Sequence, residues 1–264
     1  MRILGILNVT PDSFSDGGRF LAGGAAVDVA GALRAAERMI AAGAHAIDVG
    51  GVSTRPGAAE VDEAEELRRV LPVVQALRGL PVWVDTSRAR VAAAVLEAGA
   101  CAINDQRAGE DLDLLAVVAA AKCSYVLMHN RGTPATMASL ATYDDVAVDV
   151  WRALDLAAAR AVQHGVRADR IIYDPGIGFA KTADQSLAML RDLPRRTSVP
   201  VLVGASRKSF LGALTRRQVP SERLAGSLAV ALWAAQAGAA WVRVHDVEET
   251  RDALLVWQAL EARP

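Results

Sequence analysis

The feature that most constrains this chain is a rhythm. Apolar runs of strand length alternate, without a break, with longer stretches whose apolar residues recur at helical spacing. Strands are predicted at 3–9, 46–49, 82–84, 102–103, 125–128, 171–173, 201–203 and 241–244. Helices are predicted at 25–42, from about 62, and at 88–98, 112–121, 146–164, 183–191, 223–237 and 247–261, with a shorter one at 209–214. The boundaries carry chemistry. Asp62 stands where a helix N-cap belongs, with Glu65 three residues on, and Gly43, Gly99, Gly165 and Gly238 close the helices before them. Strict alternation implies a parallel sheet. Eight strand–helix units in 264 residues fit closure into a (β/α)₈ barrel of the TIM type. An open doubly wound α/β sheet is the competing architecture. No linker or low-complexity segment divides the units, so residues 1–264 read as one barrel domain.

Composition sets outer limits. Hydrophobic residues are 52% of the chain, and the net charge is -1, so a nucleic-acid or polyanion partner has no support. No apolar stretch approaches the ~20 residues that span a bilayer. The N-terminal apolar run is short and lacks a cleavage pattern, which makes a cytoplasmic protein the expectation. The two cysteines, Cys101 and Cys123, have apolar neighbours and no paired motif, and read as small buried core residues. Dinucleotide, Walker, nucleophile-elbow and zinc-hydrolase motifs do not occur.

In such a barrel, function gathers where strands end. Polar residues stand there in series: Asn8, Asp48, Asp85, Asn104, His129, Asp174, the 204–208 loop, and Arg243 with His245. Arg243 and His245 are two apart on one strand and share a face. With Asn8 from the neighbouring first strand they suit an anion such as pyrophosphate, although Asp246 offers Arg243 and His245 a purely structural ion pair. Asp85, Asn104, Asp174 and Lys208 form another set, suited to a heterocycle rich in N–H donors and ring nitrogens; a Lys208–Asp174 ion pair is the structural alternative. Two loops, 10–18 and 53–57, mix turn formers with residues of ligand-binding type, and could equally be ordinary surface turns.

At these residues the chain resembles the dihydropteroate synthases. The motifs are GILNVTPDSFSDGG (5–18), DVGGVSTRPGA (48–58), VDTS (84–87), IND (103–105), LMHNRGTPATM (127–137), DPGIGFAKT (174–182), VGASRKSFLG (203–212), RLAGSLA (223–229) and RVHDVEET (243–250). Their order matches and they run nearly end to end. The resemblance implies a Mg²⁺-assisted transfer in folate biosynthesis. In it, 4-aminobenzoate displaces pyrophosphate from 6-hydroxymethyl-7,8-dihydropterin pyrophosphate. It further implies that Asp85, Asn104, Asp174 and Lys208 hold the pterin, and that Asn8, Asp16, Arg243 and His245 hold pyrophosphate, with Asn8 on the metal. The aminobenzoate falls to Phe14, Thr54, Arg55, Pro56, Phe179, Ser209 and Lys208. Asp174, Lys208, Arg243 and His245 are the expected catalytic residues, and a homodimer is the expected assembly. Removing Arg243 is expected to weaken pyrophosphate binding far more than binding of a phosphate-free pterin.

Six positions depart from the family pattern: Val52, Trp83, Gln106, Asn130, Ala180 and Gln185. Two other functions share the fold, a non-catalytic pterin-binding paralogue and the pterin domain of corrinoid methyltransferases. A pyrophosphate clamp has no use in the first. The SRKS and RVHD motifs are foreign to the second.

Overall fold

The computed structural model describes residues 1–10, 21–22, 26–53, 61–193 and 198–262. Among the described residues the strands are β1 (Arg2–Asn8), β2 (Leu21–Ala22), β3 (Ala26–Val27), β4 (Ala46–Gly50), β5 (Val82–Asp85), β6 (Ala102–Asp105), β7 (Ser124–Met128), β8 (Ile171–Asp174), β9 (Leu202–Val203) and β10 (Trp241–Val244). The α-helices among them are α1 (Val29–Ala41), α2 (Glu63–Ala76), α3 (Ala89–Ala98), α4 (Leu112–Ala121), α5 (Val146–Gln163), α6 (Ala183–Asp192), α7 (Ser209–Thr215), α8 (Leu224–Gln236) and α9 (Val247–Glu261). All strands but β2 and β3 form one parallel sheet, in the order β8-β7-β6-β5-β4-β1-β10-β9. A parallel bridge between Tyr173 and Val201, with Tyr173 N–H donating to the Pro200 carbonyl at 2.9 Å, joins the two edges. The sheet is thereby a barrel, and the open α/β alternative is excluded.

Strand parity organises the interior. One residue from each barrel strand forms an apolar ring: Leu4, Ala46, Trp83, Ala102, Val126, Ile172, Leu202 and Trp241. The Trp83 and Trp241 rings meet at 4.6 Å between centroids, and the Arg2 guanidinium lies 4.2 Å from the Trp241 ring centroid. The intervening residues point outward into the larger core under the helices, as Ile47, Val84, Ile103 and Tyr125 do. Two residues beyond the apolar ring stand Ile6, Asp48, Asp85, Asn104, Met128, Asp174, Gly204 and Arg243. The same parity that builds the floor therefore places the polar residues on top of it.

Helix ends follow the expected chemistry. Asp62 Oδ1 accepts the Glu65 N–H at 2.7 Å at the start of α2, and Gly99 adopts φ 119° beyond α3, where an L side chain is strained. Two expectations are corrected. The helix predicted over 25–42 starts only at Val29, because Asp28 caps it, accepting the Gly31 N–H at 2.8 Å; β3 pairs antiparallel with β2 just before. The cysteines are not core residues: Cys101 is exposed and Cys123 half-buried. Each immediately precedes a strand, at the barrel end opposite the polar ring, where the apolar neighbours that prompted the core reading belong to the strands instead.

Candidate active site

The polar ring opens into a cavity of about 480 Å³, within the range that takes a small organic ligand. Asn8, Asp85, Asn104, Asp174, Phe179, Lys208, Ser209, Arg243 and His245 all line it. Phe14, Asp16, Thr54, Arg55 and Pro56 lie outside the described residues.

The deepest part is a charged network. Arg243 Nε donates to Asp48 Oδ2 at 2.5 Å, and its Nη2 lies 3.4 Å from Asp85 Oδ2. Asn104 Nδ2 donates to the same Asp48 oxygen at 3.0 Å. Gln106 Nε2 reaches both oxygens of Asp85 at 2.8 Å. Burial, then repulsion from Asp48, pushes the Asp85 carboxyl up to about 7, against the pull of Arg243 and Gln106. Burial depresses the Arg243 guanidinium, yet Asp48 and Asp85 outweigh it and hold the group above its ordinary value. With its amide nitrogen committed to Asp48, Asn104 keeps a buried Oδ1 without a hydrogen-bond partner. An orphaned acceptor of this kind costs about 1–3 kcal/mol unless a ligand N–H meets it.

On the opposite wall, Asp174 Oδ1 accepts the Gly176 N–H at 2.7 Å. Burial raises its pKa, and Lys208 pulls it down. Lys208 does not form the direct ion pair with Asp174: its Nζ donates to the Ile177 carbonyl and lies 4.2 Å from the Phe179 ring centroid. Burial brings this ammonium down to about 8, opposed by Asp174. Of the residues expected at an anion, Arg243 belongs to the charged network and His245 stands apart from it. His245 Nδ1 and the His245 N–H both reach Ser206 Oγ, at 3.0 and 3.2 Å. Asp246 takes Arg207, and the ion pairs of Arg243 run to Asp48 and Asp85, so a salt-bridged strand end forms with other partners than Asp246. A Cβ placed on Gly50 would stand 3.4 Å from Asn8 Oδ1, so this glycine leaves room in front of that oxygen.

Sequence reasoning placed these residues at one barrel end but missed how they connect. Asp48 had appeared only as a polar strand end; it lies inside β4, wholly buried, and anchors both Arg243 and Asn104. Its parity with Ala46 was the available signal. The departures have definite places. Trp83 is floor, Gln106 holds Asp85, and Val52 lines the cavity. Asn130 Oδ1 accepts the Arg131 N–H. Gln185 completes a capping box with Thr182 and donates to the Ala141 carbonyl. Ala180 sits at φ 44°, a conformation that favours glycine.

Comparison with known proteins gives the family. The family profile of the pterin binding enzymes matches residues 4–245. A dihydropteroate synthase of Synechocystis is 45% identical over 264 residues, covering 98% of this chain and 89% of that protein. The solved Yersinia pestis dihydropteroate synthase in complex with a sulfonamide drug superposes with a TM-score of 0.93 at 42% identity, covering 99% of this chain and 94% of that one. The Xanthomonas albilineans dihydropteroate synthase with 4-aminobenzoic acid gives 0.90 at 44% identity, covering 100% and 94%. The chain belongs to the pterin binding enzymes and, within them, to the dihydropteroate synthases.

Proposed function

We propose that this chain joins 4-aminobenzoate to 6-hydroxymethyl-7,8-dihydropterin pyrophosphate, acting as a dihydropteroate synthase, and that residues 1–264 work as one barrel domain. The observation that carries the reading is the preformed polar wall around one cavity: Asp85, Asn104 and Asp174 above an apolar floor. A dihydropterin offers N–H donors to such a wall. The amine nitrogen of the aminobenzoate forms a bond to the pterin methylene, the methylene C–O bond breaks, and its electron pair leaves with pyrophosphate. One amine proton is released. An arylamine is uncharged at neutral pH, so the reaction needs no enzymic nucleophile.

The roles then follow from position. Asp85, Asn104, Asp174 and Lys208 hold the pterin, and the Asp174 carboxylate stabilises positive charge growing on it as pyrophosphate departs. Asn8, Arg243 and His245 hold the pyrophosphate, with Asp16 joining from the 10–18 loop. Phe179, Ser209 and Lys208 form the described part of the aminobenzoate site; Phe14, Thr54, Arg55 and Pro56 supply the rest. Mg²⁺ fits a donor set of this kind, since it is commonly held by one or two protein oxygens plus substrate phosphates. Asn8 Oδ1, with the space left by Gly50, is the protein oxygen; among the described residues no group of three or more His, Cys, Asp or Glu competes for the ion. When bound, Mg²⁺ neutralises charge on the leaving group. No helix among the described residues is long and apolar enough to cross a membrane, in keeping with a cytoplasmic enzyme; a homodimer is the proposed assembly.

Pyrophosphate release from the purified chain tests the reading. Release that requires both substrates and Mg²⁺ is expected. Asp174→Asn should keep the fold, since the amide oxygen can still accept the Gly176 N–H, but lose about 1.5–3 kcal/mol of stabilisation. That is roughly one to two orders of magnitude in kcat/KM. Pterin binding without turnover by the unmodified chain would favour the non-catalytic paralogue instead.

A further inference from the structure

The segment from Asp174 to Lys181 carries Phe179 into the cavity and is gripped by two lysines. Lys208 holds its cavity side: Nζ donates to the Ile177 carbonyl, and a Cβ on Gly178 would meet the Lys208 stem at 3.1 Å. Lys181 holds its back. Its Nζ reaches the Gly176 carbonyl, the Phe179 carbonyl and His129 Nδ1, each at 3.1 Å. The carbonyls of one short turn are thus sorted, those of Gly176 and Phe179 to the rear and that of Ile177 to the front.

The backing is rigid. His129 is 4% exposed, and its N–H donates to the Asp174 carbonyl at 2.9 Å. A Cβ on Gly176 would fall 1.9 Å from the His129 carbonyl oxygen, so the turn lies directly on the end of β7. Tyr143 Oη adds a further tie, donating to the Ala180 carbonyl at 2.8 Å. Burial brings the Lys181 ammonium down to about 7, with Asp174 opposing and Lys208 and Arg131 reinforcing the shift. A lysine stands in so unfavourable a place, although it lines no part of the cavity.

We propose that Lys181 is a positioning residue for the arylamine substrate. By drawing the Gly176 and Phe179 carbonyls back, it fixes the Phe179 ring and presents the Ile177 carbonyl that holds Lys208. The proposal rests on the synthase reading above. It loads the two substrates unequally: Lys208 serves both and Phe179 only the arylamine, whereas the pterin keeps Asp174 at the end of β8 and Asp85 and Asn104, which are held from other strands through Gln106, Arg243 and Asp48.

Lys181→Met removes the three donated bonds while keeping the length of the side chain; Lys181→Arg keeps donors in a different fan. The KM for 4-aminobenzoate should rise at least about tenfold in the methionine variant and by an intermediate factor in the arginine variant. Calorimetric Kd for 6-hydroxymethylpterin should stay within about threefold in both. An unchanged aminobenzoate KM beside a lowered Tm would make Lys181 a packing residue and overturn the proposal, as would equal losses for the two ligands. Should the methionine variant not fold, the arginine variant is read alone by the same criteria. A wild-type chain that releases no pyrophosphate sinks the synthase reading and this proposal together. An active wild type with unaffected variants sinks the proposal only.

Discussion

At the scale of single residues, the site is a set of charges that stabilise one another before any ligand arrives. Arg243 shows what this adds to a sequence reading. Spacing put it beside His245 and Asn8 as half of an anion clamp, yet its Nε and Nη2 are turned to Asp48 and Asp85. Spacing gives the face of a strand but not the partner across the barrel, which is 195 residues away. Removing the guanidinium leaves Asp48 wholly buried and Asp85 nearly so without their counter-charge. Arg243→Ala is therefore expected to weaken binding of a phosphate-free pterin as well as of pyrophosphate, each by more than tenfold. Parallel calorimetric titrations check this; undiminished affinity for the phosphate-free pterin would confine Arg243 to the anion. His129 gives a prediction of another kind. Burial, then Lys181 and Arg131, brings its imidazole down to about 3, so the folded protein keeps it neutral. The unfolded chain takes up that proton from about pH 6.5 downward. Its contribution to stability is thus complete above pH 6.5 and is lost as the pH falls toward 3. The urea midpoint should drop between pH 7 and pH 5, and His129→Gln, which retains an acceptor for Lys181, should flatten that drop.

At the scale of elements, strands and long helices were legible because their signals are local. Apolar runs of strand length, and helices bounded by Asp caps and glycines, mark where most elements start and stop. The β2–β3 hairpin was not legible, since two-residue strands carry no periodicity and Ala26 and Val27 continue the apolar pattern of α1. The floor was legible only in part. Trp83 was visible as a departure, but not that Trp241 stands against it across the barrel. Trp83→Ala should leave a void in the apolar ring and cost about 3–5 kcal/mol, seen as a lower denaturation midpoint. Because Trp83 lies one inward position beneath Asp85, both KM values should hold in the folded fraction. A rise in the pterin KM greater than tenfold would show that the floor sets the carboxylate above it.

At the scale of the whole molecule, the barrel permits one order of events. The apolar ring closes the interior beneath Asp85, Asn104 and Asp174, so a ligand for these acceptors enters from the strand-end side. Phe179 and Ser209 stand on the segments that follow β8 and β9, beyond those acceptors along the strand direction, with Pro220 and Arg223 lining the same cavity. An arylamine seated among them lies on the pterin's way in, whereas a seated pterin leaves the arylamine free to follow. On the proposed assignment, pyrophosphate stays with Asn8, Arg243 and His245 until the bond to the amine has formed. The expected sequence is dihydropterin pyrophosphate first and 4-aminobenzoate second. Ligand-driven ordering then appears in equilibrium binding too: with pyrophosphate and Mg²⁺ in place, the anion end is neutralised and the amine site is completed from its inner side. Titration of 4-aminobenzoate into the chain should give at least tenfold tighter binding with Mg²⁺-pyrophosphate than without. In steady-state kinetics, a dead-end pterin analogue should be competitive with the pterin substrate and noncompetitive with 4-aminobenzoate. Equal aminobenzoate affinity in the two titrations would mean that the amine site is complete in the empty barrel. Competition of the analogue with both substrates would place the two sites in one space and overturn the order.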